Sequence, residues 1–140
     1  MDTTWITPRI MRAYATLFDK GLVHSFEVWN AEGALVGGGY GVALGRMFFT
    51  ESQFSHESNT SKVGFAMLNR HLAAWGYILN DGKKHTGVLE EAGFGMIPRA
   101  EFLTHLVGGT RTGGKDGRWR AEFDTAQVAD WQPGTRAAAA

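Results

Sequence analysis

The chain has 140 residues, 44% apolar and 20% charged, a composition that fits one ordinary globular domain. Lys and Arg number 14, as do Asp and Glu, so no global positive charge favours nucleic acid, although a local basic patch stays open. With no cysteine, disulfides, thiol nucleophiles and cysteine-bound metals are excluded; no run nears the ~20 apolar residues of a membrane helix, and MDTTWITPR reads as no secretory leader, which suits the cytoplasm.

The first predicted element is a helix in TPRIMRAYATLFDKG. Thr7 is a good N-cap and Pro8 fits the first helical position. Ile10, Met11, Tyr14, Leu17 and Phe18 share a face at spacings of three and four, and Gly21 ends the element. LVHSFEVWN reads as a strand with Phe26 and Val28 on one side, alternating with Ser25 and Glu27. Asn30 to Ala34 is a hairpin turn, and LVGGGYGVAL is the return strand, whose glycines predict a bulge or a close backbone approach. GRMFFTE is a third strand that ends at Glu51, after which a polar run leads to the next helix.

That second helix is SKVGFAMLNRHLAAWG, capped by Asn59, Thr60 or Ser61, with Phe65, Leu68, Leu72 and Trp75 at helical spacing and Gly76 at its end. YILND is a short strand, TGVLEEAG a short helix capped by Thr86, and IPRAEFLTHL a helix with Pro98 in its first turn. Beyond Leu106 periodicity is lost. The glycines between Val36 and Gly45 read as structured, and those between Val107 and Gly117 as a loop. The closing four alanines read as a scar or a frayed end. The element order predicts an α/β (α+β) layer of helices on a twisted sheet, in which the helix from Lys62 to Trp75 is a crossover between parallel strands.

Few residue patterns carry chemistry. His24, His56, His71, His85 and His105 are scattered in polar settings without a helical pair and acidic company, so all five are expected at the surface and no metal is expected. GGGYGVALG lacks the lysine and hydroxyl of a phosphate loop and precedes a strand, not a helix, which counts against coenzyme A. Glu51 and Asp81 each end an apolar strand. If those strands are parallel neighbours, both acids converge at the carboxyl edge, where α/β sheets place ligands, and could hold an amine and accept its proton. The plainer reading is two strand-end caps facing water.

Five segments, TWIT, HSFEVW, LVGGGYGVALGRMFFTESQFS, NTSKVGFAMLNRHLAAWGY and FGMIPRAEFLTHL, together resemble the leucyl/phenylalanyl-tRNA–protein transferase family, in the family's order from about Trp5 to Leu106. The resemblance implies an acetyltransferase-like (GNAT-type) mixed twisted sheet flanked by helices. It implies residues 1–107 as the aminoacyl-tRNA transferase domain and 108–140 as a glycine-rich loop and tail. It also implies an enzyme without a cofactor that moves Leu, Phe or Met from aminoacyl-tRNA onto a protein N-terminus carrying Arg or Lys.

By the same resemblance Glu51 sits at the aminoacyl site and Asp81 near the attacking amine. Trp5 faces the terminal adenosine of the tRNA with Tyr14 close by, the alternative for Trp5 being a hydrophobic staple before the first helix. Met47, Phe48 and Phe49 wall the side-chain pocket, although one or two of them must face the core, and Gly39, Phe54 and Ser55 complete the substrate site. Of the basic residues Arg46, Lys62, Arg70, Lys83, Lys84 and Arg99, the strongest candidates for the tRNA are Arg99, Lys62 and Lys84.

The chain also departs from the family pattern. Lys83, in NDGKK, stands where a glutamine is usual, and a donor-only cation there would repel a cationic acceptor, stabilise an oxyanion or contact phosphate. Thr50 replaces a glycine, Gln53 a methionine, and Gly39 a larger residue, which would widen the pocket. The family's N-terminal domain is expected to be absent. Two further readings therefore stand beside protein N-terminal transfer: a small-molecule amine as acceptor, and a non-catalytic binding relative.

Overall fold

The computed structural model describes residues 4–131; the terminal alanines lie outside them. Its elements are α1 (Pro8–Asp19), β1 (Val23–Trp29), β2 (Leu35–Leu44), β3 (Met47–Ser55), α2 (Thr60–Ala74), β4 (Leu79–Asp81), α3 (Gly87–Glu91), α4 (Arg99–Thr110) and α5 (Thr125–Ala129). The strands form one mixed sheet in the order β1-β2-β3-β4. β1, β2 and β3 are antiparallel neighbours, whereas β3 and β4 run parallel with α2 crossing between them. The expected mixed α/β layer is present.

Local chemistry accounts for most boundaries. The Thr7 hydroxyl accepts from the Ile10 amide, and Pro8 opens α1. Asn30 Oδ1 accepts from the amides of Glu32 and Ala34, closing the β1–β2 turn. Thr86 caps α3 through the Leu89 amide. Gly21 and Gly76, at φ 79° and 78°, turn the chain out of α1 and α2 in a conformation that costs a side chain energy.

The main core lies on one face of the sheet, under α2, and a smaller buried patch of Met47 and Leu79 lies on the other, against Gly109 of α4. Phe65 and Leu72 are fully buried in the main core and pack with Ala43 and Phe48 of the sheet and with Leu89 and Phe94 from beyond β4. The glycines of β2 admit this packing, and β2 has an extra residue, Val36, in its ladder with β1. A Cβ on Gly41 would collide with the carbonyl oxygen of Phe49 and stand 2.6 Å from the Phe48 ring. On α2, a Cβ at Gly64 would enter the ring of Phe26.

Four expectations are corrected. β3 does not stop at Glu51 but runs to Ser55, because its polar residues alternate between two faces that each find partners. α4 continues past Leu106 to Thr110, taking in Gly108 and Gly109, the second of which leaves room for Met47. α5, unforeseen, is closed by a capping box between Asp124 and Gln127. His24 and His71 are buried, not on the surface.

Both histidines hold down the segment after α4. His24 stacks on Trp119 at 3.7 Å with the rings parallel to within 1°. Burial lowers its pKa, against the raising effect of its hydrogen bond to the Gly21 carbonyl. His71 Nε2 faces the amides of Glu122 and Phe123 at 2.7 and 3.2 Å, and amides only donate. Nε2 is therefore the acceptor, and Nδ1 carries the proton donated to the Met67 carbonyl at 2.6 Å.

The β2 packing predicts the outcome of adding one methyl group. Gly41→Ala should lose about 3 kcal/mol in denaturant unfolding, since backbone stands in the way. Gly108→Ala, where the added Cβ meets open space on a helix, should be neutral or gain about 0.5–1 kcal/mol. Equal midpoints for the two variants would contradict this account.

Candidate active site

Parallel β3 and β4 pair only through Met47↔Leu79, Phe48↔Asn80 and Phe49↔Asp81. Beyond that point the strands part, and β3 continues alone along β2. Paired residues in neighbouring strands share a face and successive residues alternate. Phe48, Asn80 and Thr50 thus lie on the α2 face, and Phe49 and Asp81 on the opposite one.

Glu51 is the extra residue of a bulge: Gly41 pairs with Thr50 and Tyr40 with Ser52, leaving Glu51 without a partner. Bulges bend a strand and re-aim a side chain. Alternation from Phe49 places Glu51 on the Phe49 and Asp81 side of the sheet, and the bulge leaves it there unpaired, with Ser52 opposite Tyr40. α1 supplies the rest of that side. Tyr14 meets Tyr40 edge-on at 4.9 Å and Trp5 at 6.4 Å. Burial raises the Tyr14 pKa, and the negative charge of Glu51 adds to it. Burial also pushes Tyr40 up to about 12, with Tyr14 and Glu51 contributing. The Tyr40 hydroxyl is a buried proton donor without a partner among the described residues.

Lys83 ties the two acids together. Its amide donates to Asp81 Oδ1 at 2.8 Å, and its ammonium lies 3.2 Å from Glu51 Oε1. The same ammonium stands 5.6 Å over the ring of Phe49. Lys83 adopts φ 69°, a left-handed conformation that costs a non-glycine residue ~1 kcal/mol or more and often marks a functional turn.

Two cavities flank this turn. One, of about 430 Å³, is lined by Trp5, Thr50, Glu51, Ser52, Gln53, Thr86 and Gly82 to Lys84. The other, of about 450 Å³, holds Asp81, Lys83, Lys84, His85 and Arg99 among Leu89, Phe94, Met96, Ile97 and Phe102. The first sets Glu51 and Trp5 beside Lys83 and Lys84, and the second is basic over an apolar floor. Among the described residues no cluster of three or more His, Asp or Glu could hold a metal ion.

The structure gathers some of the expected site residues and separates others. Glu51, Asp81, Lys83, Phe49, Trp5 and Tyr14 come together, and Lys84 and Arg99 share the basic cavity. Met47 and Phe48 do not wall a pocket: they are core residues, 0% and 1% exposed. Gly39 does not widen the site either, because a Cβ there would meet the Phe26 ring at 2.8 Å on the α2 side. Ser55 bonds Thr60 and the Glu57 carbonyl at the start of α2. Phe54 packs by His56 at 5.2 Å, and Lys62 lines a third cavity between α2 and α5. Tyr40 was missed. Its signal is present in the sequence, as the one bulky residue among the β2 glycines, but its face depends on the bulge.

A family profile described as leucyl/phenylalanyl-tRNA protein transferase matches residues 1–107. A leucyl/phenylalanyl-tRNA–protein transferase of Azotobacter vinelandii is 50% identical over 106 residues, 76% of this chain and 46% of that protein. One from Thiobacillus denitrificans is 48% identical over 104 residues, 74% of this chain and 45% of the relative. One from Stutzerimonas stutzeri is 41% identical over 131 residues, 94% of this chain and 52% of the relative. The chain spans about half the length of these relatives.

The half-buried tyrosines of the site predict a pH window. Between pH 10 and about 12 the folded chain keeps a proton on Tyr40 that the unfolded chain releases, so stability should fall as pH rises through that window. Ultraviolet titration should show tyrosinate forming late in the native protein, and Tyr40→Phe should remove the latest step. A native titration complete by pH 10 would contradict it.

Proposed function

The chain belongs to the leucyl/phenylalanyl-tRNA protein transferase family, and on that premise we propose that it transfers a hydrophobic aminoacyl group, Leu, Phe or Met, from aminoacyl-tRNA to the α-amine of a protein. The observation that carries the reading is the convergence of Glu51 and Asp81 on one sheet face, beside Phe49, Tyr14 and Trp5, where β3 and β4 part. An acetyltransferase-like grouping rests on the same parting of parallel strands.

The chemistry needs no activation beyond the ester. A neutral amine attacks the ester carbonyl carbon, and the new C–N bond forms as the carbonyl oxygen takes up negative charge. The tetrahedral species collapses by breaking the C–O bond to the ribose, releasing tRNA. The proton lost by the nitrogen leaves with the ribose oxygen, and a carboxylate can carry it between the two. Asp81 suits that role: one of its oxygens is held by the Lys83 amide, which orients the other. Glu51 suits the α-ammonium of the aminoacyl group. Tyr40 and Lys83 are donors of the kind that stabilise an oxyanion. The aromatic faces of Trp5 and Tyr14 offer a stacking platform for the terminal adenosine. Lys84 and Arg99 offer cations to the tRNA phosphates near the 3′ end.

One observation favours a second acceptor class. The Lys83 ammonium already occupies the field of Glu51, so an incoming Arg or Lys side chain meets a like charge. An uncharged small-molecule amine does not carry that penalty.

Two variants and one assay test these statements. Label from Leu-tRNA and Phe-tRNA should appear on a protein with an N-terminal Arg, and Asp81→Asn should lower the rate at least about a hundredfold with the fold intact. Unchanged transfer by that variant would remove Asp81 from the mechanism. Lys83→Gln should improve KM for cationic N-termini severalfold and leave neutral amines unaffected; no change in this preference would show that Lys83 does not select the acceptor.

A further inference from the structure

Behind the site lies a chain of side-chain hydrogen bonds that takes no part in the reaction proposed above. The Thr50 hydroxyl donates to Asn80 Oδ1 at 2.7 Å, and Asn80 Nδ2 donates to Asn69 Oδ1 at 2.8 Å. Asn69 and Asn80 are 1% and 0% exposed, and Thr50 is buried beside them. Asn69 Nδ2 has no partner among the described residues. Three linked polar side chains in the core, one of them with an unsatisfied amide, need a reason, since an incompletely satisfied network stabilises a core less well than hydrocarbon does.

Their neighbours in sequence supply the reason. Thr50 precedes Glu51, and Asn80 precedes Asp81. Each hydrogen-bonded residue faces α2, and each acid faces the site. The backbone ladder between β3 and β4 ends at Phe49↔Asp81, so no strand pairing holds β4 to β3 beyond it. The Thr50–Asn80 bond reaches diagonally across the two strands where that ladder stops. Through Asn69 it is anchored to the middle of α2.

We propose that the Thr50–Asn80–Asn69 bridge is a positioning device: it sets the spacing of β3 and β4 at their parting and thereby the separation of the Glu51 and Asp81 carboxylates. Thr50, Asn80 and Asn69 are positioning residues: Asn69 and Asn80 are sealed from the site, and Thr50, which borders the cavity, gives its hydroxyl to Asn80. Hydrocarbon at these places would fill the space without fixing the offset between the strands, whereas hydrogen bonds of defined length and direction do fix it. A reacting group displaced by ~1 Å loses about a hundredfold in rate, so a small relaxation here is enough to be read.

The kinetic test rests on the transferase reading and uses the full chain with Leu-tRNA and an acceptor protein bearing an N-terminal Arg. Thr50→Val removes the hydroxyl at nearly constant volume. It should lower kcat about tenfold or more with KM within about twofold. Thr50→Ser keeps the hydroxyl and should recover most of the rate. A triple variant, Thr50→Val with Asn69→Leu and Asn80→Leu, orphans no polar group and should melt near the wild type yet remain as slow as Thr50→Val. In crystals of Thr50→Val the Glu51 and Asp81 carboxylates should be displaced relative to each other. A folded Thr50→Val or triple variant with wild-type kcat and unmoved carboxylates overturns the proposal. So does a Thr50→Ser variant as slow as Thr50→Val. If the wild type transfers to neither acceptor class, the transferase reading fails, and the carboxylate positions in the Thr50→Val crystal still decide whether the bridge positions them.

Discussion

The pairing of β3 with β4 stops after three residues, and the site depends on where it stops. A longer ladder would carry β4 alongside Glu51 and close the space that the cavities occupy. A shorter one would leave Asp81 without a register. The stop is made by Gly82 and by the left-handed turn at Lys83, whose amide is held by the Asp81 carboxylate. One short turn therefore ends the strand, fixes an acid and places a cation.

The scaffold that holds this parting is built by close approach. Glycines on β2 bring it against Phe48 and Phe26, and Gly64 brings α2 down on Phe26. Phe65 then reaches both Phe26 and Phe94, at 5.3 and 5.2 Å, linking the first strand to the segment after β4. The cost is chain entropy in the glycines, offset by aromatic surface removed from water. With its main core on the α2 face, the sheet is free to present polar and aromatic residues on the other.

Charge inside the site is balanced locally rather than by the protein as a whole. Net charge is zero, so any attraction for a polyanion comes from the Lys83, Lys84, His85 and Arg99 side of the turn. Glu51 lies on its other side, while Asp81 lines the basic cavity. Lys83 and Lys84 line both cavities, and Lys83 stands where the resemblance expects a glutamine. A cationic ligand and a polyanionic one would therefore feel opposite forces from the same side chain.

Much of this was legible in the sequence. Caps, turns and helical spacing act over a few residues, and they placed α1, α2, α3 and the β1–β2 hairpin close to their observed bounds. Glu51 and Asp81 stood out as acids at the end of apolar runs. The sequence could not show that Glu51 sits on a bulge inside a strand, because a bulge is a property of two strands in register. For the same reason Phe48 and Gly39 read as pocket residues while Tyr40 was passed over: one slip in register exchanges the faces of every residue. Met47 shares the face of Phe49 but is covered by α4 at Gly109. The buried state of His71 depends on amides 51 and 52 residues away. Local chemistry determined which elements form, and only the tertiary structure decided which faces meet, because facing is set by contacts between segments far apart in the chain.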